Sequence, residues 1–324
     1  MAVAVSEPRH ASAEERVRRW LDAASGPETA AIVPLAGDVS ARRYFRVHRV
    51  DGSRRIVAVY PRELAAAQVR FGAAAVLLAG AGVRVPRIDR DDVEAGLALL
   101  EDLGEQTLYE RADLDAPARE RYLRAALGVG RRIAALPVPE VAALGSPPLD
   151  RSLLRRELEA TLGLVLAPRG LATPAFVAAL DLLCERLAAD PPVPCHRDFM
   201  VRNLVPVGDD GIGVLDFQDL RLGPPAYDLA SLLNDSWFAP PDLEKRLVAE
   251  CCPGPAAAFG YRRAVVQRAL KAVGTFTAFA ARGQDRHLPL VAPTLARAAR
   301  HLPELPETAA AFAGLAARFA APGA

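Results

Sequence analysis

One stretch in the second half of the chain carries the residue types and the spacing that phosphoryl transfer requires. His196 and Asp198 stand two residues apart, Asn203 follows five residues later, and Asp216 closes an apolar run over 213–215. In this chemistry one carboxylate orients an attacking hydroxyl and accepts its proton, while an amide oxygen and a second carboxylate hold Mg²⁺ against the nucleotide phosphates. The pattern predicts Asp198 as the base and Asn203 and Asp216 as the Mg²⁺ ligands.

Two motifs agree on this interpretation. The spacing His-x-Asp-x-x-x-x-Asn matches the catalytic loop of kinases, and Asp-Phe-Gln at 216–218 stands where kinases have Asp-Phe-Gly. Asp and Asn are also common turn residues, and His196 taken alone fits a packed, hydrogen-bonded histidine. The conjunction with a strand-like run that ends in Asp216 favours the catalytic interpretation.

The elements that must position these residues can be located from periodicity and turn signals. Before the site, Pro191 to Pro194 forces an extended approach, and after it Pro224 and Pro225 open a helix over 226–237. The pattern over 105–190 is helical. The first hundred residues combine helices with β-rich runs that are typical of an antiparallel meander: a helix over 12–24, strands over 31–35, 44–50 and 55–60, a helix over 62–81, and strands over 83–88 and 97–100.

This order of elements predicts an α+β protein with a two-lobed, protein-kinase-like fold. A nucleotide-binding lobe built on a small antiparallel sheet would span 1–101. A mainly helical lobe, with the catalytic loop and the substrate pocket, would span 102–324.

The turn over 36–43 lies between the first two strands, where backbone amides can bind phosphate oxygens. Ser40, Arg42 and Arg43 add a hydroxyl and two guanidinium groups, although a plain hairpin with solvated arginines fits equally well. Neighbouring side chains on a strand point to opposite faces, so only one arginine should reach the nucleotide. We expect Phe45 to face inward and therefore predict that Arg43, on the same face, contacts the phosphates together with Ser40.

Two further features complete the predicted nucleotide site. The adenine is expected between apolar residues near Leu100 and Leu103, with hydrogen bonds from the backbone there. Tyr60 stands where a kinase would carry its strand lysine, and both lysines of the chain, Lys245 and Lys271, come after the catalytic loop. Another cation, Arg42 or Arg43, must then offset the phosphate charge.

Composition narrows the remaining classes of protein. The 324 residues are 51% hydrophobic and 24% charged, with a net charge of +1, which is ordinary for a globular protein and gives no basic footprint for nucleic acid. No run of about 18 uncharged apolar residues and no secretory signal is visible. The four cysteines show no CxxC spacing and are expected to be reduced thiols. The prediction is a cytoplasmic protein without an obligate protein partner.

The motifs also carry a family resemblance. His196-Arg197-Asp198-Phe199, Arg202-Asn203-Leu204, Val214 to Asp219, Gly223-Pro224 and Tyr227-Asp228-Leu229 resemble the aminoglycoside phosphotransferase superfamily. Gln218-Asp219, Gly223-Pro224 and the run Ser40 to Arg46 are most similar to the anomeric N-acetylmuramate/N-acetylglucosamine kinases of bacterial cell-wall recycling. The resemblance covers about 12–304.

The resemblance implies an enzyme that uses ATP and Mg²⁺ to phosphorylate the anomeric hydroxyl of an N-acetylated amino sugar, bound by the C-terminal helices. Another small alcohol, such as an aminoglycoside or a choline-like molecule, is the alternative acceptor. A nucleotide-binding pseudokinase is a third possibility, suggested by the absent strand lysine. The complete set of Asp198, Asn203 and Asp216 argues against it, because a protein without turnover has no chemical need for all three.

Overall fold

A computed structural model describes residues 12–25, 28–35, 41–209, 211–234, 237–306, 308, 310 and 311. The first part of the chain forms a five-stranded sheet with the order β1-β2-β3-β5-β4, in which all neighbours are antiparallel. This confirms the predicted meander. The strands are β1 (Thr29–Leu35), β2 (Arg43–Arg49), β3 (Arg54–Val59), β4 (Ile88–Asp92) and β5 (Leu97–Glu101).

One face of this sheet is covered by α1 (Ala13–Ser25). The helix begins with a capping box, in which the Ser12 backbone N–H donates to Glu15 Oε2 at 2.9 Å and the Glu15 N–H donates to Ser12 Oγ at 3.2 Å. Val17 of α1 packs with Phe45 of β2 in a small core that belongs to this lobe alone.

The other face packs against α2 (Ala65–Gly80) and looks toward the helical lobe. Together with the short turn before it, this helix is long and apolar enough to cross a bilayer by length and composition, the only such helix among the described residues. Phe71, Ala74 and Leu78 are nevertheless buried in the main core, and Gln68 donates to Asp91 at 2.6 Å. These contacts pack one face of the helix into the domain.

The strand predicted over 83–88 is wrong in position, because β4 runs over Ile88–Asp92. Pro86 has no backbone N–H to donate to a sheet ladder. Arg84 instead forms an isolated parallel bridge with Gly213 of the helical lobe. The polar segment after it pairs with β5, from Ile88 opposite Leu100 to Asp92 opposite Leu97.

The rest of the chain is mainly helical and carries two small two-stranded sheets, so the predicted two-lobed architecture is confirmed. The strands are β6 (Val193–Cys195), paired with β9 (Arg221–Gly223), and β7 (Leu204–Val207), paired with β8 (Gly211–Val214). The helices are α3 (Ala116–Ala134), α4 (Val138–Ala143), α5 (Arg151–Arg156), α6 (Pro174–Leu187), α7 (Tyr227–Asn234), α8 (Pro241–Cys251), α9 (Pro255–Ala280) and α10 (Val291–His301).

The main hydrophobic core is continuous across both lobes. It extends from Ala58 and Leu100 on the sheet to Leu295 and Leu305 near the C-terminal end. The lobes therefore differ in architecture but share one core, and the boundary between 101 and 102 stays a prediction.

Candidate active site

The loop between β6 and β7 carries the predicted base in a backbone conformation that few residues adopt. Arg197, directly before Asp198, has a φ of 79°. Such left-handed geometry is costly for a residue with a side chain and persists only where its surroundings impose it. The buried carboxylate of Asp228 does so, because its oxygens accept from the backbone N–H of His196 at 2.6 Å and of Arg197 at 2.9 Å. Burial raises the pKa of Asp228.

Two hydrogen bonds join this loop to the segment that ends in Asp216, and a third closes the loop on itself. The fully buried His196 places Nε2 2.9 Å from the Leu215 carbonyl oxygen. Leu215 N–H donates to the Asn203 carbonyl at 2.8 Å, and the Asn203 side-chain amide donates to the Asp198 carbonyl at 2.8 Å. The predicted base and both predicted metal ligands are thus brought together on two neighbouring loops.

Cations surround the carboxylate of Asp198. Arg268 Nη2 lies 3.5 Å and Lys271 Nζ 3.7 Å from the same oxygen, Oδ1. Burial alone would raise the pKa of Asp198, but Lys271, Arg268 and Arg197 outweigh it and hold that pKa well below its usual range. The side chain is 27% exposed, so part of the ionised carboxylate is accessible to solvent.

Asp216 also has a left-handed backbone, with a φ of 59°. Its Oδ1 accepts from Arg42 Nη2 at 2.8 Å and from Gln218 Nε2 at 2.9 Å, and 40% of the side chain is exposed. The amide oxygen of Asn203 and this carboxylate are hard oxygen donors of the type that Mg²⁺ takes. The carboxylate is partly exposed and can accept a metal ion, so these residues fit the predicted role.

Among the residues that the structure describes, no three His, Cys, Asp or Glu side chains come together as a metal site. A Mg²⁺ ion that arrives with a nucleotide needs few protein ligands, because phosphate oxygens and water complete its octahedron. A pair of ligands such as Asn203 and Asp216 suits that mode of binding.

The structure places Arg43, which was predicted to contact the phosphates, on the side of the sheet away from Asp216. Phe45 does face inward, but the interior it enters is the small core under α1, and Arg43 lies exposed over its ring on that side of the sheet. Arg42 takes the opposite side and reaches across to Asp216 at 2.8 Å, with its guanidinium 5.8 Å from the Tyr44 ring. The two side chains do point to opposite faces of the sheet, as predicted. Because α1 covers the face with Phe45 and Arg43, Arg42 is the one that reaches Asp216.

The other predicted nucleotide residues have different outcomes. Leu100 is buried on the sheet face that belongs to the main core. Leu103 packs against the bare backbone of Gly213, where a Cβ would lie 2.7 Å from its Cδ1, so a larger residue there would require the Leu103 side chain to shift. Ser40 lies outside the described residues. The side chain of Tyr60, which stands at the position of the absent strand lysine, is buried.

Sequence reasoning missed three side chains that surround the base. Glu157, after α5, accepts from Arg197 Nη2 at 2.9 Å and lies 3.3 Å from Lys271 Nζ. Arg268 and Lys271 come one turn apart from α9. No local motif announces them, and the one available signal was that Lys271 is one of only two lysines in the chain.

Fold and site together define a two-lobed, kinase-like phosphotransferase. A family model described as the phosphotransferase enzyme family matches residues 31–264, and the chain belongs to this family. It is 34% identical over 312 residues to an N-acetylmuramate/N-acetylglucosamine kinase of Pseudomonas aeruginosa, covering 88% of this chain and 89% of that protein. The enzyme of the same name from Pseudomonas putida is 33% identical over 295 residues, covering 84% of this chain and 83% of that protein.

Solved structures agree on the fold. The choline kinase LicA from Streptococcus pneumoniae superposes with a TM-score of 0.65 at 14% identity, covering 90% of this chain and 99% of that one. An ADP-bound aminoglycoside phosphotransferase, APH(2'')-Ib, superposes with a TM-score of 0.62 at 14% identity, covering 93% and 99%. At this identity the likeness concerns the fold alone.

Proposed function

We propose that this protein is an ATP- and Mg²⁺-dependent kinase that phosphorylates the anomeric hydroxyl of N-acetylmuramate or N-acetylglucosamine. The observation that carries the proposal is the joined pair of loops. They hold an ionised Asp198 beside Asn203 and Asp216, in a chain about one third identical to kinases named for these two sugars.

The residues divide the work of the reaction. Asp198 orients the acceptor hydroxyl and takes its proton as the oxygen attacks the terminal phosphorus. Asn203 and Asp216 hold Mg²⁺, which when bound offsets the charge of the phosphates. Little covalent chemistry is left to the protein, so positioning and charge neutralisation supply most of the acceleration.

An anomeric hydroxyl suits the electrostatics of Asp198. Three cations hold the pKa of this carboxylate low, which makes it a weak base. An anomeric hydroxyl is more acidic than an ordinary sugar alcohol, and proton transfer to a weak base then costs less. For such an acceptor it is sufficient that Asp198 orients the hydroxyl first and accepts its proton only late in the phosphoryl transfer.

Arg42 takes the place of the absent strand lysine in this proposal. It lies directly before β2 and reaches Asp216 of the helical lobe, and it keeps its charge at any physiological pH. Leu100 and Leu103 bound the adenine site at the end of the sheet. Because the reaction consumes ATP, we propose a cytoplasmic location.

The metal role can be tested through binding. We expect Asp216→Ala to remove the dependence of ADP affinity on Mg²⁺, as measured by calorimetry with and without the metal ion. Asp219→Ala is the matched control, because Asp219 pairs with Arg197 and Arg221 and not with the metal ligands. An Asp216→Ala protein that keeps the Mg²⁺ dependence would contradict the metal assignment.

The acceptor is tested by comparing candidate substrates in parallel reactions. Purified protein with Mg²⁺ and ATP is offered N-acetylmuramate, N-acetylglucosamine, kanamycin and choline in separate reactions, and ADP release is followed. We expect turnover of the amino sugars, with the phosphate on the anomeric carbon by ³¹P-coupled NMR. Turnover of kanamycin or choline with no sugar product would reject the proposal and favour the alternative acceptors.

A further inference from the structure

Lys271 occupies a position between two carboxylates at the centre of the candidate site. It projects from the middle of α9 and places Nζ 3.3 Å from Glu157 Oε1 and 3.7 Å from Asp198 Oδ1. Hydrogen bonds between an ammonium group and a carboxylate are typically 2.7–2.9 Å long. Both contacts are longer than that, so neither carboxylate holds the ammonium group in a short bond.

Glu157 does not require Lys271 as its partner. Its Oε1 already accepts from Arg197 at 2.9 Å, and its Oε2 accepts from Gln267 at 3.3 Å and lies 3.5 Å from Tyr227 Oη. Removal of Lys271 would leave this carboxylate bonded. Glu157 therefore positions Lys271, and Lys271 is not needed to neutralise a buried, unpaired Glu157.

The choice of lysine is unusual for this chain. Of its 40 cationic residues only Lys245 and Lys271 are lysines, and the other 38 are arginines. Lys245 lies exposed on α8. Arginine presents a planar fork that binds carboxylates in pairs, whereas lysine is a compact point charge with three rotatable donors. Lys271 is therefore placed where a small cation that can redirect its donors is required.

The surroundings of Lys271 suit the arrival of an additional anion. The side chain is 17% exposed and lies beside the carboxylate of Asp198, which is 27% exposed. Burial lowers the pKa of Lys271, so a further negative charge at Nζ would stabilise the ammonium form. The anion that reaches the neighbourhood of Asp198 in the proposed function is the phosphoryl group on its way to the acceptor.

We propose that Lys271 is a catalytic residue whose ammonium group contacts the phosphoryl group during transfer. This inference rests on the proposed function. The acceptor oxygen forms a bond to the terminal phosphorus, the bond to the bridging oxygen breaks with its electron pair staying on ADP, and the hydroxyl proton passes to Asp198. Lys271 keeps its protons and offsets the charge on the phosphoryl oxygens, while Arg42 serves the opposite, sheet side of the nucleotide.

The experiment compares Lys271→Met with Lys271→Arg and with Lys245→Met, the matched control at the only other lysine. Calorimetry measures the affinity for Mg²⁺-ADP alone and with tetrafluoroaluminate, a planar mimic of the phosphoryl group in flight. Turnover and the melting temperature are measured in parallel. Loss of one preorganised donor to developing charge typically lowers kcat by about 10²–10³-fold.

We expect Lys271→Met to lower kcat about 100-fold and to lose about 100-fold of the tightening by tetrafluoroaluminate, with the affinity for Mg²⁺-ADP alone within about twofold. Lys271→Arg should fall between this variant and the wild type, and Lys245→Met should behave as the wild type. If Lys271→Met does not fold, Lys271→Gln, which keeps a donor for Glu157, replaces it in every measurement.

The inference would be overturned if Lys271→Met kept the tightening by tetrafluoroaluminate or had a kcat within threefold of the wild type. It would also be overturned by an equal loss of affinity for Mg²⁺-ADP with and without the mimic, because that pattern belongs to a structural role. If the wild type phosphorylates none of the sugars, the proposed acceptor fails, while the tetrafluoroaluminate measurement still decides the role of Lys271.

Discussion

Two buried clusters of charged residues stand in the helical lobe, and they differ in how completely their groups are bonded. Around Glu244 of α8, Tyr261 donates at 2.6 Å and Arg297 and Arg300 approach to 3.1 and 2.9 Å. Arg297 also donates to the carbonyls of Ala239 and Leu233. Around Asp198, by contrast, the nearest cations lie at 3.5 and 3.7 Å.

The two carboxylates also differ in access and in backbone geometry. Glu244 lies within a regular helix and its side chain is 7% exposed, whereas Asp198 follows a left-handed residue and is 27% exposed. Because its contacts are short and its carboxylate is closed to solvent, the Glu244 cluster is expected to stabilise the fold. The Asp198 cluster has longer contacts, a left-handed residue before the carboxylate and a larger exposed fraction, so it can still bind a ligand. Burial of charge by itself therefore does not identify an active site.

The largest expected effect is at Asp198. Asp198→Asn removes proton acceptance and the ionised oxygen that orients the acceptor, and we expect kcat to fall by about 10³-fold or more. The affinity for Mg²⁺-ADP should survive, because no metal ligand is lost. Steady-state kinetics and calorimetry on the same preparation measure both quantities. Turnover within tenfold of the wild type would remove the distinction between the clusters.

At the other cluster the effect should fall on stability. Glu244→Gln leaves Arg297 and Arg300 without their carboxylate, and breaking a buried pair in this way costs about 3–5 kcal/mol. We expect a loss of about 3 kcal/mol in the free energy of unfolding by urea titration, with kcat per folded molecule unchanged.

Glu250→Gln on the same helix is the control for Glu244→Gln. The side chain of Glu250 is 45% exposed in its pair with Arg124, and exposed pairs contribute at most about 1 kcal/mol. Equal losses of stability in the two variants would show that the Glu244 cluster is not specially stabilising.

The two arginines at the start of β2 test which face of the sheet lines the cleft. Arg42→Ala should lower kcat by about 10–100-fold, since it removes a cation beside the bound phosphates. Arg43→Ala should change kcat by less than about threefold, because Arg43 lies over Phe45 on the far side. Parallel kinetics of the two variants decide the matter, and a larger effect at Arg43 would restore the sequence prediction.

The smallest effect expected is a pH dependence. Burial would raise the pKa of Glu244, but the nearby His301, the hydrogen bond from Tyr261 and the charge of Arg297 outweigh it and lower the pKa below its ordinary value of 4.5. Its stabilising contribution is then present above that ordinary value and is lost as the pH falls through the lower folded value. The stability difference between wild type and Glu244→Gln should shrink in urea titrations at pH 3 relative to pH 7. A constant difference would mean that the pKa is not lowered.

Much of the candidate site could be predicted because it is local in sequence. Asp198 and Asn203 lie on one loop, and the hydrogen bond between them closes within five residues. Asp216 follows after one hairpin, since β7 and β8 pair with each other. Short spacing therefore carries the geometry, and a motif over 20 residues specifies the arrangement in space.

The remainder depends on contacts between distant segments. Arg268 and Lys271 approach Asp198 from a helix about 70 residues later in the chain, and Glu157, about 40 residues before Asp198, lies 3.3 Å from Lys271. The choice between Arg42 and Arg43 required knowing that α1 covers the Phe45 face. β4 begins after Pro86 because pairing with β5, and not hydrophobicity, selects the polar segment.

The sequence by itself determined the catalytic loop, the order of elements and the parity of side chains along each strand, because these follow from spacing and from backbone chemistry that act over a few residues. Only the tertiary structure decided which of the alternating side chains, Arg42 or Arg43, lies on the side of Asp216, and which cations surround Asp198. Those outcomes depend on how helices and sheet pack, and packing joins residues whose distance along the chain carries no signal.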